Sequence, residues 1–111
     1  MENNNGERLY VVSVYSENQV GLLSVIANVF TRRSLNIEML TTLPSEFEGI
    51  HRFTIKTRTT RDKVESVVKH IEKKVDVIRA FWYVDDEYLA KEHAVIAEWI
   101  EQTRNKQLKN Q

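Results

Sequence analysis

The side chains most able to do chemistry are few, and their spacing argues against catalysis. His51, His70 and His93 are the only histidines, and the chain has no cysteine. A helix-borne metal pair needs a second ligand three or four residues away on the same face. None of the three histidines has one, so each reads as a surface or partly buried imidazole. Gly6, Gly21 and Gly49 are too scattered for a phosphate loop, and Ser13, Ser16 and Ser24 sit in no nucleophile elbow. The acidic run Asp85-Asp86-Glu87 could recruit a cation. A solvated helix start, favoured by the helix dipole, explains it better. No nucleophile, base and orienting group come together in this sequence, and thiolate chemistry is excluded outright.

With 111 residues the chain suits one domain with a modest core. Its 16 Lys and Arg balance 16 Asp and Glu, so no general attraction draws it to nucleic acid or an anionic membrane. No apolar run is long enough to span a bilayer and the first residues are polar. The expectation is a cytoplasmic protein with a loose N-terminus over residues 1–8.

The elements that must position any site follow from periodicity. Leu9 to Tyr15 is β-branched and aromatic, apolar on both faces, and reads as a central strand. Leu22, Val25, Ile26, Val29 and Phe30 recur at helical spacing, with Asn18 near the start, Arg32 and Arg33 near the end, and Ser34-Leu35-Asn36 as the stop. A second strand covers 36–43, with Ile37, Met39, Thr41 and Leu43 sharing a face. A turn through Pro44 to Gly49 leads to a third strand at 50–58. There Phe53, Ile55 and Thr57 point one way, while Arg52, Thr54, Lys56 and Arg58 point to water or a partner. Thr60 opens a second helix with Val64, Val67, Val68 and Ile71 inside. Strand four runs from Val75 to Val84. The tail helix, from Asp85 to about Leu108, carries Tyr88, Val95, Trp99 and Leu89, Ile96, Ile100 as two neighbouring ridges. The order β-α-β-β-α-β is ferredoxin-like: an α+β fold, an antiparallel sheet with two helices on one face, plus a C-terminal helix. Such sheets can bind RNA through exposed aromatics, but strand three has only Phe53, on the face away from its basic residues, and the aromatic RNA motif is absent.

Four blocks carry a more specific signal. They are Glu17-Asn18-Gln19-Val20-Gly21-Leu22-Leu23, Asn36-Ile37-Glu38-Met39-Leu40, Gly49-Ile50-His51-Arg52-Phe53-Thr54-Ile55 and Val75-Asp76-Val77-Ile78-Arg79. In this order they resemble the ACT domain of acetolactate synthase small subunits over residues 9–84, leaving 85–111 as a helical tail. The resemblance implies a non-catalytic regulatory subunit of branched-chain amino-acid synthesis. It would activate a separate large subunit and transmit feedback from a branched-chain amino acid, valine first. Thiamine diphosphate, magnesium and, as a further candidate, FAD would belong to the large subunit, and this chain would carry no cofactor. Chains of the family pair through their sheets, and the effector lies at the seam of a homodimer.

That implied site has a physical logic. A helix start offers backbone N–H groups to a carboxylate, and Gly21 permits close approach. The side chains of Asn18 and Asn36 can accept from an ammonium. Val20, Leu22 and Ile37 can wall a branched side chain. Each residue also has a plainer reading: Asn18 as a helix cap, Gly21 as a turn residue, Asn36 as the left-handed residue ending the helix. Their coincidence on two adjoining loops favours a site. Many family members continue with a strand of the form E-I-x-L-x-K-I. Here Glu87 to Ile96 is helical in pattern, so the resemblance lends the tail no role. The alternative is a stand-alone ACT-type sensor acting on a different enzyme.

Overall fold

The computed structural model describes residues 6–17 and 19–109, with the side chains of 19 and 106–109 outside that description. In chain order the elements are β1 (Arg8–Ser16), α1 (Gln19–Arg32), β2 (Met39–Pro44), β3 (His51–Thr59), α2 (Arg61–Glu72), β4 (Val77–Val84), a 3-10 turn at Asp85–Glu87, and α3 (Tyr88–Lys109). Of the expected loose N-terminus, residues 1–5 lie outside the described residues, and Arg8 already belongs to β1.

The sheet has the order β2-β3-β1-β4, with every neighbouring pair antiparallel. The doubly apolar β1 is interior, as its composition requires. Its alternate residues Tyr10, Val12 and Val14 join Phe53 and Ile55 of β3 in the main core. Leu22, Ile26, Val29 and Phe30 of α1, and Val64, Val67, Val68 and Ile71 of α2, close that core from one side. Thr60 caps α2, its hydroxyl accepting from the Lys63 N–H at 3.4 Å.

Three local expectations are corrected. The left-handed residue after α1 is Ser34, with φ 55°, not Asn36. Ser34 N–H reaches Thr31 O at 3.0 Å and Leu35 N–H reaches Phe30 O at 2.9 Å, the paired bonds of a Schellman turn. That turn buries Leu35 and carries the chain toward β2. The second strand begins at Met39 rather than Asn36, so Ile37 is out of phase with it. Ile37 and Leu40 pack against the core, while Leu43 is 55% exposed. Strand four begins at Val77, because Glu17 N–H and Ser16 Oγ both bond Asp76 O, at 3.1 and 2.9 Å, and hold 75–76 in a turn.

The larger correction concerns the opposite face of the sheet. The polar side of β3 was expected to meet water or a partner. Instead α3 folds back over it. Val11, Ser13 and Tyr15 of β1, fully buried, and Tyr83 of β4 lie beneath it. β1 is therefore apolar on both faces because helices cover both.

Candidate functional site

The structure separates the proposed effector residues into two groups. Val20 and Gly21 lie exposed in the first turn of α1, a turn with no acidic side chain to compete with an anion. Asn18, assigned both a cap and a ligand contact, lies outside the described residues. Leu22 is only 2% exposed and belongs to the core. It supports the helix start from beneath, so the wall assigned to it falls to Val20, which is 85% exposed.

Asn36 and Ile37 stand at the other end of α1. Asn36 is exposed, and its backbone carbonyl accepts from Thr57 Oγ1 at 2.8 Å. That bond ties the α1–β2 connection to the foot of β3. Since α1 has 14 residues, about 21 Å of helix separates the two groups. The loops are therefore not adjoining within one chain.

Between the sheet and α3 lies a polar cluster that periodicity alone did not reveal. Glu92 is 8% exposed. Its Oε1 accepts from Ser13 Oγ at 2.9 Å and stands 3.7 Å from Arg52 Nη1. Burying a carboxylate is costly unless it is paired and hydrogen-bonded, and these two partners supply both. Around it, Trp99 packs against Tyr15, Phe47 and Phe81 at 4.9, 4.8 and 5.7 Å between ring centroids. Tyr88 packs on Tyr83 at 5.5 Å. Asp85 of the acidic run meets Lys56 at 3.0 Å, so it anchors the start of the tail rather than sitting in free solvent. Burial pushes the Tyr15 phenol up to about 12; Arg52 opposes the rise, and Glu46 and Glu92 add to it. Two signals were present in the sequence: a serine inside an apolar strand, and an acid on the apolar stripe of the tail helix.

Among the described residues no group of three His, Asp or Glu is arranged to hold a metal ion, and no helix is long and apolar enough to cross a membrane. The three histidines fall on separate elements. His51 Nδ1 is buried without a hydrogen-bond partner, His93 is exposed on α3, and His70 on α2 is held low by desolvation and by the cations Lys74, Arg33, Lys73 and Arg32.

Comparison with known proteins agrees with this architecture. Residues 12–79 match the model of the "AHAS small subunit-like ACT domain". The acetolactate synthase small subunit of Buchnera aphidicola subsp. Baizongia pistaciae is 31% identical over 86 residues, covering 78% of this chain and 54% of that protein. The acetolactate synthase isozyme 3 small subunit of Escherichia coli is 38% identical over 69 residues, covering 62% and 42%. Among solved structures, the acetolactate synthase small subunit of Thermotoga maritima superposes with a TM-score of 0.60 at 31% identity, covering 67% of this chain and 46% of that one. The chain thus spans about half the length of the curated relatives it matches, and α3 lies beyond the residues that the family model matches.

Proposed function

This chain belongs to the AHAS small subunit-like ACT domain family, and from that premise we propose that it is a non-catalytic regulatory subunit of acetolactate synthase. In this reading it binds a branched-chain amino acid, valine first, between two copies of itself, activates a separate catalytic chain and passes feedback to it. The thiamine diphosphate, magnesium and any FAD of the reaction belong to that catalytic chain. The observation that supports the reading best is the family match over residues 12–79, which takes in both groups of candidate effector residues.

Symmetry supplies what one chain lacks. β2 is an edge strand paired only with β3. Antiparallel pairing of β2 with its own copy is an isologous contact, and it sets the top of one domain beside the foot of the other. The first turn of α1 from one chain then approaches Asn36 and Ile37 of its partner. The N-terminal turn takes the effector's carboxylate, the Asn36 side chain accepts from its ammonium, and Val20 with Ile37 encloses the branched side chain. An effector bound across this seam changes activity only insofar as it binds two states of the assembly unequally.

Gly21→Asp tests the arrangement. A carboxylate added to the first turn suits the helix dipole and replaces a poor helix former, so folding is kept. The same charge repels the effector's carboxylate. Calorimetry with valine, leucine and isoleucine should show binding to the wild type and none to Gly21→Asp. Asn36→Ala should weaken binding by about 0.5–3 kcal/mol, one polar contact. Undiminished binding by Gly21→Asp with an unchanged circular dichroism spectrum would place the effector elsewhere.

A further inference from the structure

The cations of this chain fall into two sets. On β3, Arg52, Lys56 and Arg58 pair with Glu92, Asp85 and Glu38. Arg79 of β4 pairs with Glu72, and Lys91 and Arg104 of α3 pair with Glu87 and Glu101. Among the described residues, Arg32, Arg33, Lys69, Lys73 and Lys74 make no such pair. All of these stand at the ends of α1 and α2 or directly after them. Arg33, Lys69 and Lys73 line one groove of about 380 Å³, together with Asp62, Ser66 and His70. Lys69 and Lys73 are exposed and Arg33 is half-buried.

The groove keeps an excess of positive charge. Each helix end supplies about half a negative charge, and Asp62 supplies one more. Glu65 also lines the groove but is held by Arg61 at 3.1 Å. About three positive charges are left over. The His70 imidazole registers them: desolvation and then Lys74, Arg33, Lys73 and Arg32 hold its pKa low. A helix dipole explains a lysine at the end of its own helix. It does not explain why cations from two helices share one groove.

We infer that this groove docks an acidic surface of the catalytic chain. The inference rests on the regulatory reading above and adds to it the place where the two chains meet. Complementary charge steers such an encounter and fixes which surfaces meet. The other broad face of the sheet is taken by α3, and the edge of β2 by its own copy. Antiparallel pairing of β2 continues one sheet across the two-fold axis, so both α1–α2 layers fall on the same side. The dimer then presents two basic grooves to one partner surface. A protein fits the mixed lining better than nucleic acid does. Phosphates would meet Asp62 and Glu65, and the groove has no aromatic side chain for a base to stack on.

The test uses the full chain and the host's acetolactate synthase large subunit, mixed at about 0.15 M salt. By sedimentation, Lys69→Glu/Lys73→Glu should raise the dissociation constant about tenfold or more, while Lys69→Arg/Lys73→Arg should bind as the wild type does. Circular dichroism should stay unchanged, because both lysines are exposed. Wild-type affinity should fall as salt is raised to about 0.5 M, a readout that needs no substitution. A charge-reversed chain that binds as tightly as the wild type, or an affinity indifferent to salt, overturns the groove and leaves the regulatory reading standing. A wild-type chain that does not bind the large subunit overturns both. Duplex DNA that binds the wild type and is lost on charge reversal, with binding to the large subunit unchanged, assigns the groove to nucleic acid and overturns the protein contact.

Discussion

At the scale of single residues, the same side chain can serve the fold and the seam in different ways. Leu22 holds the start of α1 against the core while its neighbours Val20 and Gly21 face outward. That division separates binding from stability in the Gly21→Asp experiment. Tyr15 offers a second residue-scale test. Its phenol ordinarily ionises near 10 and in the folded chain is pushed up to about 12 by burial. The folded state keeps the proton through a range in which the unfolded chain has lost it. Stability from this group is therefore complete below pH 10 and falls as pH rises from 10 toward 12. Tyr15→Phe cannot lose a proton. The stability difference between wild type and Tyr15→Phe, measured by denaturant titration, should shift in favour of the phenylalanine variant between pH 9 and 11. A difference that stays constant over that interval would show that the phenol is not shielded by α3.

At the scale of elements, the sequence is most legible where one face of an element meets one core. The alternation of Phe53, Ile55 and Thr57 against Arg52, Lys56 and Arg58 assigned the inner face of β3 correctly, since a one-residue slip would expose every apolar side chain. The stripes of α1 and α2 were equally readable. What periodicity could not supply was the partner of the outer face. Arg52 and Lys56 looked like solvent residues because arginine and lysine usually are. Their partners Glu92 and Asp85 lie far along the chain, and only the folding back of α3 joins them. The start of β2 was misplaced because Ser34, rather than Asn36, takes the left-handed turn, and no residue type there forces the choice. The positions of Gly21 and Asn36 were legible as separate features, whereas their separation along α1 was not. Two substitutions weigh the two faces. Phe53→Ala empties a site that is 1% exposed and should cost about 3–5 kcal/mol. Glu92→Ala leaves Ser13 Oγ and the Arg52 guanidinium without their buried partner and should cost about 1–3 kcal/mol. Denaturant titrations in which Glu92→Ala is neutral would show that α3 does not rest on the sheet through this cluster.

At the scale of the whole molecule, the chain is a sheet with one face closed by two helices and the other half closed by a third. It assembles no catalytic constellation among its described residues, and its candidate effector residues stand at opposite ends of α1. In the proposed reading regulation follows from symmetry, because an effector held by two chains would report on how those chains sit against each other and against a catalytic partner. The most direct measurement is the acetolactate synthase activity of the host's large subunit, titrated with this chain in the presence and absence of valine. Activity should rise to a plateau as the chain is added, and valine should lower that plateau in the wild type but not with Gly21→Asp. A large subunit whose activity is unchanged by the chain, with valine or without it, would contradict the account.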